Sequence, residues 1–422
     1  MDMCNERLLI ISNNVLSNVR NNGKTIYSYV DSLDPKYVAQ LYFNGEYPSI
    51  GGYKYFRITD KDIVKGMLSP KKRGRAINDS APATVGSVPE GAKHRGEIFR
   101  LAREVLWAGK WKSKGLIKWL DDYSPTAIFF VGGDCLFAYD ICKYIAKRYN
   151  AKTSLYITDD YIMPRTNDSF VGKMRKRKIK KRIRKCLEYA QSFFTVSDMM
   201  RREYKDVFGR DSSVIVNLSE SLRAPVEKQD DSTYTLMYAG SLYYGRDGVL
   251  GKLSEAILAY NATHEKKARL DVYTNSAPDE ITKKKFIVEG ASRYCGSLDR
   301  DGLKRELNAS DVLVFVESFD KDFMEKTKYS LSTKVPEYLS VGKPVLAIGP
   351  MGIGSIDYLS DVAVCVSDTS ELSEKLTQLL ESEAAQREVA ERCERKYFNN
   401  HSKEKIQKEF LRKVLETADD RC

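Results

Sequence analysis

The sequence predicts an α/β protein with two doubly wound halves in series, each a mostly parallel sheet covered by helices on both faces. The chain has 422 residues, which is too long for one ordinary hydrophobic core. Short apolar runs alternate with helical patterns along most of its length, as in parallel sheets with helical crossovers. A polar stretch at 218–235, which contains Pro225, separates two series of such runs.

The first half contains five strand-like apolar runs. They lie at 8–12, 37–43, 127–131, 154–157 and 193–196. Helical patterns separate several of them, near 93–119, 134–149, 173–190 and 198–207. The segment 69–92 is rich in Pro, Gly, Ser and charge, so it predicts a long loop inside this half.

The second half repeats the alternation. Its strand-like runs lie at 235–238, 270–273, 312–316, 345–348 and 362–366, and its helical patterns include 250–260, 301–307 and 333–341. We therefore predict one domain at 1–218 and a second at 219–401. The terminal segment 402–422 is predicted to be helical, beginning after a Ser402 cap.

Composition and charge narrow the possible classes of protein. A hydrophobic content of 42% is typical of globular proteins, and no apolar run approaches the roughly 20 residues of a membrane span. The N-terminus, MDMCNERLLIIS, has no signal-peptide pattern, and the eight cysteines form no close C-x-x-C pairs, so neither zinc nor a disulfide scaffold is expected. These features favour a cytoplasmic protein.

The stretch YSLSTKVPEYLSVGKPVLAIGP at 329–350 contains the first candidate site. Ser332, Thr333 and Lys334 precede or open a helix, and unpaired N–H groups at a helix start attract anions. Glu337 lies one turn further on and could accept hydrogen bonds from sugar hydroxyls. The alternative is a simple N-cap with a glutamate as capping partner.

Three stretches together resemble the donor-binding half of GT-B glycosyltransferases. They are LMYAGSLYYGRDGVLGKLSEAI at 236–257, YCGSLDRDGLKRELNASDVLVFV at 294–316, and the stretch at 329–350. The likeness is greatest to retaining family 4, which uses nucleotide sugars, and it covers about 235–400. It implies two Rossmann-like domains that face a central cleft, with the final helix crossing back onto the first domain.

The resemblance assigns roles to individual residues of the second half. Gly240 matches a glycine that lets the backbone approach the donor phosphates, and Arg246 falls where a lysine usually holds the diphosphate. Glu337 matches the glutamate that holds the ribose hydroxyls. Two positions depart from the family: Ser241 replaces an arginine, and Tyr329 replaces a first glutamate.

In the first half the resemblance is architectural, and the candidates there are fewer. Gly23 lies in a stretch, NVRNNGKTIY, that resembles the family's phosphate-facing loop. Asp159 and Asp160 follow a strand-like run where the family often has a histidine, so a carboxylate there could take the acceptor proton. The alternative is that these strand-end aspartates cap the next turn.

A basic helix is predicted at 173–190. The stretch KMRKRKIKKRIRK at 173–185 has ten basic residues and no acid, and the rest of the chain would carry only 11 − 10 = +1. Ile179, Ile183 and Leu187 form an apolar stripe that can pack on the first domain. The alternative is a solvated surface helix, but ten like charges repel one another, and an external anionic surface would relieve that repulsion. No nucleic-acid motif accompanies the charge, so an anionic membrane surface is the expected partner. The predicted membrane contacts are Lys173, Arg175, Lys176, Lys180, Lys181 and Arg184.

The sequence thus predicts a glycosyltransferase that moves a sugar from a nucleotide-diphosphate sugar to a hydroxyl of a polyprenyl-linked glycan. The resemblance implies retention, and a role in cell-surface polysaccharide biosynthesis at the inner face of the membrane is expected. No cofactor or obligatory metal is expected, since no Asp-x-Asp pair ends a strand of the donor half. Two alternatives are a nucleotide-sugar epimerase and a non-catalytic GT-B subunit that binds a partner.

Overall fold

Two open sheets organise the chain in a computed structural model, which describes residues 6–18, 21–68, 73–77, 96–216, 218–225 and 232–415. Contacts divide the chain into two compact units. The first contains the residues up to Ile215 and those from Glu404 onward, and the second spans Val216–Lys403.

The first unit is built on an eight-stranded sheet of order β4-β3-β2-β1-β5-β6-β7-β8. All neighbours are parallel except β3 and β4. Its strands are β1 (Leu8–Ser12), β2 (Val38–Tyr42), β3 (Lys54–Arg57), β4 (Arg75–Ile77), β5 (Ala127–Gly132), β6 (Lys152–Ile157), β7 (Ser192–Thr195) and β8 (Ser213–Val214). The continuous burial of β1, β2 and β5 follows from helices that cover both faces.

Eight helices accompany this sheet in the described residues. They are α1 (Asn21–Val30), α2 (Asp60–Leu68), α3 (Glu97–Trp107), α4 (Lys114–Tyr123), α5 (Leu136–Tyr149), α6 (Phe170–Leu187), α7 (Asp198–Phe208) and the terminal α16 (Lys403–Leu415). The last one packs on the sheet through Phe410, whose ring lies 4.5 Å from that of Tyr29 and 4.9 Å from that of Phe129.

The second unit has a six-stranded, fully parallel sheet of order β11-β10-β9-β12-β13-β14. Its strands are β9 (Thr233–Ala239), β10 (Lys267–Tyr273), β11 (Ser292–Gly296), β12 (Val312–Val316), β13 (Val345–Ile348) and β14 (Val364–Val366). Its helices are α8 (Arg246–Thr263), α9 (Glu280–Phe286), α10 (Arg300–Ala309), α11 (Lys321–Thr327), α12 (Lys334–Leu339), α13 (Gly354–Leu359), α14 (Leu372–Glu381) and α15 (Glu383–Asn400). This strand order, 3-2-1-4-5-6, is that of dinucleotide-binding folds.

The predicted α/β class with two parallel sheets is confirmed, and two local predictions are wrong. The pattern at 93–119 forms two helices, because the chain turns at Gly109, whose φ is +66°, and Ser113 then caps α4. The loop predicted at 69–92 contains a strand, β4, that pairs with β3. Apart from residues 73–77, that loop lies outside the described residues.

Candidate functional site

The strand order of the second sheet places a crevice at the carboxyl ends of β9 and β12. These neighbours connect to opposite sides of the sheet, and ligands of open α/β sheets bind at such a switch point. A cavity of about 180 Å³ opens beside the end of β9. Its lining residues are Ala239, Gly240, Ser241, Tyr273, Thr274, Asn275, Ser276, Leu298, Leu303 and Lys334.

Gly240 lines this cavity, and its own packing requires a glycine. A Cβ at this position would lie 2.7 Å from the hydroxyl of Tyr238, which donates a hydrogen bond to the Ser241 carbonyl. The Gly240 N–H donates to the Tyr273 carbonyl at 3.0 Å. This N–H is therefore already bonded within the protein, and any ligand contact at Gly240 is by close approach.

The predicted residues at the start of α12 separate into two groups. Ser332 has an internal role, because its hydroxyl accepts from the Lys334 N–H and its own N–H donates to the Ser355 hydroxyl. Thr333 is exposed and makes no side-chain capping bond. Lys334 lines the cavity, and its Nζ lies 3.1 Å from Glu337 Oε2. Lys334 and Glu337 thus form an ion pair at the cavity wall.

The geometry does not match the alternative in which Glu337 is only a capping partner. In the described part of the chain its carboxylate bonds Lys334 and no backbone amide. The side chain is 18% exposed, against 34% for Lys334. A partly buried carboxylate with spare lone pairs can accept hydrogen bonds from a ligand.

Tyr338 fixes the position of this ion pair, and sequence reasoning missed it. Its buried hydroxyl accepts from the Ala239 N–H at 2.9 Å and donates to the Ala239 carbonyl at 3.3 Å. This contact ties α12 directly to the end of β9. The only signal in the sequence is that Tyr338 adjoins Glu337 in the EYL motif.

Arg246 begins α8, and two left-handed residues place it there. Tyr244 and Gly245 have φ of +62° and +71°, and a Cβ on Gly245 would lie 2.8 Å from the Ser318 hydroxyl. A non-glycine residue held at positive φ is uncommon and often marks a functional turn. The turn directs the Arg246 side chain toward the end of β12.

The partner of Arg246 is Glu317, a second residue that sequence reasoning missed. Nη2 of Arg246 donates to both carboxylate oxygens at 3.0 Å, and Nε donates to the Val316 carbonyl at 3.3 Å. Burial raises the pKa of Glu317, and the nearby guanidinium offsets part of that rise. The sequence feature that could have identified Glu317 is an acidic residue directly after an apolar run that forms a fully buried strand. Among the described contacts, Nη1 of Arg246 has no protein partner.

The aspartates after β6 in the first unit have different surroundings. Asp160 is buried, and its Oδ1 accepts from the N–H groups of Ile162 and Met163, both at 3.1 Å, and from the Tyr204 hydroxyl at 3.2 Å. Asp159 is exposed, and its Oδ1 accepts from the Asp160 N–H. This geometry favours the turn-capping alternative for Asp160, whereas Asp159 reaches solvent.

Gly23 does not lie in a loop, contrary to the sequence-based expectation. It is in the first turn of α1, and a Cβ there would lie 2.2 Å from the Val15 carbonyl oxygen. Close packing of α1 on the chain after β1 therefore accounts for this glycine.

The basic helix α6 packs as its apolar stripe predicts, with Ile179, Ile183 and Leu187 buried. Of its six predicted membrane contacts, Arg175 is buried and Lys176 is half-buried, and both bond within the protein. Arg175 is 5% exposed, and it donates to the Asp134 carbonyl and pairs with the Asp134 carboxylate at 3.1 Å. Lys176 bonds the Asp168 carboxylate at 2.6 Å and the Met163 carbonyl at 2.7 Å.

Six other cations of α6 form an exposed face, whereas Arg182 is half-buried and pairs with Asp140. Lys180 is half-buried. The exposed basic residues are Lys173, Arg177, Lys178, Lys181, Arg184 and Lys185. Phe170, at the start of the helix, is 77% exposed. We call the six exposed basic residues, without Phe170, the cationic face.

None of the described helices is long and apolar enough to cross a membrane. Among the described residues, no group of three His, Cys, Asp or Glu side chains could hold a metal ion.

Known proteins provide an independent comparison. A family model described as glycosyl transferase-like matches residues 258–412. No curated protein sequence matches the chain.

Several solved structures resemble the chain over nearly its whole length. Anabaena HepE in complex with UDP is 11% identical, with a TM-score of 0.62 over 96% of this chain and 98% of that one. The α,α-trehalose 6-phosphate synthase from Burkholderia multivorans is 13% identical, with a TM-score of 0.62 over 97% and 98%. Sucrose-phosphate synthase from Thermosynechococcus elongatus is 10% identical, with a TM-score of 0.60 over 96% and 97%.

At these identities the structural likeness shows the fold. Together with the family match, it confirms the prediction of a glycosyltransferase with the GT-B fold. Membership of family 4 within that fold stays a prediction.

Proposed function

From the premise of a GT-B glycosyltransferase, we propose that the chain transfers a sugar from a nucleoside-diphosphate sugar to a hydroxyl of a glycan acceptor. The observation that carries this proposal is the 180 Å³ cavity at the switch point, with Lys334 on its wall and Glu337 paired to that lysine. Anabaena HepE, a structural neighbour, binds UDP and UDP-glucose, which supports this class of donor.

In the proposed mechanism, protein cations stabilise the departing diphosphate. Lys334 contributes a full charge, and Nη1 of Arg246 contributes two N–H donors whose direction is fixed by the bond between Nη2 and Glu317. Preorganised donors of this kind stabilise charge that develops in the transition state. Glu337 holds the ribose hydroxyls, and the resemblance to family 4 implies retention.

For the acceptor side, we propose Asp159 as the carboxylate that meets the acceptor hydroxyl. It is exposed after β6, at the carboxyl edge of the first sheet. Asp160 supports it indirectly, because its carboxylate holds the turn that follows. Ligands of open α/β sheets bind at this edge.

We further propose that the cationic face binds the anionic inner surface of the cell membrane, where a polyprenyl-linked glycan is the acceptor for polysaccharide biosynthesis. Each basic residue near such a surface contributes about 1 kcal/mol. Three or four contacts would therefore hold the protein reversibly, and the exposed Phe170 ring can enter the interface beside them.

A panel of nucleotide sugars tests the transfer function. Purified protein is titrated with each donor by calorimetry, and donor hydrolysis or transfer is followed with the donors that bind. Binding followed by release of the nucleoside diphosphate supports the proposal. A non-catalytic subunit is the second candidate, because the buried Tyr329 occupies the place of a family glutamate. Binding without any turnover would favour it.

Liposome co-sedimentation tests the membrane proposal. Binding should require anionic lipid and fall as the salt concentration rises. It should drop when four residues of the cationic face become Gln: Lys173, Arg177, Lys178 and Lys181. A matched variant replaces four exposed lysines elsewhere: Lys114, Lys118, Lys205 and Lys284. Equal loss in both variants, or equal binding to neutral liposomes, would contradict a specific surface.

A further inference from the structure

Two arginines meet at one edge of the first sheet, and neither is used by the function proposed above. Arg57 ends β3 and Arg75 begins β4, and the antiparallel register pairs these two residues directly. Since β1, β2 and β3 run parallel, Arg57 lies at the carboxyl edge of the sheet. The arginine pair therefore lies at the edge where ligands of such folds bind.

The described residues around the arginine pair provide few acceptors. Arg57 is 8% exposed, and its Nη1 donates to the Gly45 carbonyl at 3.1 Å. Its guanidinium lies 4.4 Å from the ring centroid of Tyr47, and Nη2 is 3.5 Å from the hydroxyl of that tyrosine. Arg75 is exposed and donates to the same hydroxyl. Among the described residues, the buried Nε of Arg57 has no hydrogen-bond partner.

No carboxylate neutralises these two charges within the described part of the chain. The nearest acid in sequence to Tyr47 is Glu46, whose carboxylate accepts from Asn44 Nδ2 at 3.1 Å. Buried charges in proteins are normally paired, and an unpaired one is costly. Hydrogen bonding to Arg57 and the charges of both arginines lower the pKa of the Tyr47 phenol. Both guanidiniums therefore place positive charge beside the phenol.

We propose that Arg57, Arg75 and Tyr47 form a subsite for a phosphate group carried by the acceptor. Two guanidiniums match the two charges of a phosphate monoester, and arginine binds phosphate with directed pairs of N–H donors. Tyr47 is 39% exposed and Arg75 is exposed, so these two side chains are open to solvent, while Arg57 is buried behind them. The assignment to the acceptor rests on the proposed function, in which this half of the protein meets the acceptor.

Two sources can supply the phosphate, a soluble sugar phosphate or a polyprenyl phosphate in a membrane. The first probe is glucose 6-phosphate, titrated by calorimetry into full-length protein whose donor site is saturated with a nucleoside diphosphate. The second probe is neutral vesicles that contain polyprenyl phosphate. We expect Arg75→Gln to weaken binding of at least one probe about tenfold, as loss of a charge-assisted hydrogen bond requires. The probe that Arg75→Gln binds more weakly identifies the source of the phosphate.

Controls separate this subsite from charge in general and from the donor site. Lys65→Gln removes one exposed positive charge from α2 and should leave both probes unaffected. Arg75→Lys should retain part of the affinity, and Arg75→Gln should bind nucleoside diphosphate normally. Unchanged binding of both probes in Arg75→Gln and Arg57→Gln would overturn the proposal. If no donor binds but these phosphate effects persist, the proposed transfer function fails and the subsite stands.

Discussion

Replacement of Glu337 by alanine gives the sharpest test of the donor site. Its carboxylate bonds only Lys334 among the described residues, as an i,i+3 pair on a short helix. Such a pair contributes about 0.2–0.5 kcal/mol to stability, so folding should change little. Loss of a charged hydrogen bond to ribose costs about 1.5–3 kcal/mol, which weakens nucleotide binding roughly 10- to 150-fold.

Calorimetry with a nucleoside diphosphate and its 2′,3′-dideoxy analogue measures this effect. The wild-type protein should prefer the ribose form, and Glu337→Ala should bind both forms equally weakly, because the lost interaction is with the hydroxyls. The matched control is Glu371→Ala, which removes a helical ion pair with Lys375 away from the cavity. The reasoning fails if Glu337→Ala binds nucleotide normally but melts well below the Glu371→Ala variant.

The remaining predictions concern five other side chains. Arg246→Gln or Lys334→Gln should weaken the binding of a nucleoside diphosphate more than that of a monophosphate in a titration. Equal losses of affinity for the two ligands would argue against a diphosphate contact. Asp159→Asn should lower turnover and leave donor affinity and melting temperature unchanged. Asp160→Asn should instead cost about 1–3 kcal/mol of stability in denaturant unfolding, because its carboxylate accepts hydrogen bonds from the turn that follows. The opposite pattern in the two variants would mean that the two residues have exchanged roles. The folded pKa of Glu317 is raised above its ordinary value of 4.5, so the stability this group contributes is present below that value and is lost as the pH rises through the folded pKa. Glu317→Gln should flatten that part of the stability profile, and an unaltered profile would contradict the assignment.

Strands were predictable where the sequence alone fixes burial. The apolar runs at 8–12, 312–316 and 345–348 match β1, β12 and β13 residue for residue, because strands buried on both faces are uniformly apolar. Strand β3, with sequence KYFR, was missed since its four residues mix charge and aromatic character. It pairs with β4, and the sequence of β4 lies in a segment whose composition predicts a loop.

The candidate site was predictable in part for a similar reason. Lys334 and Glu337 are three residues apart on one helix, so local geometry alone brings their side chains together. Tyr338 could not be assigned in the same way, because its contact with Ala239 spans 99 residues. The donor-binding role of Gly23 stays a prediction, because a glycine in a sequence does not show whether a ligand or a neighbouring backbone needs the space, and here the Val15 carbonyl lies close to it.

The sequence by itself determined the alternation of strands and helices, the likeness of the second half to a donor-binding domain, and the apolar stripe of α6. These features depend on residues close together in the chain. The tertiary structure alone decided which charges are neutralised. It pairs Arg246 with Glu317 and Arg175 with Asp134, and it places Arg57 beside Arg75 without a carboxylate among the described residues. Ion pairing depends on distances of a few ångströms between segments far apart in sequence, and those distances are set only when the strands take their order and register.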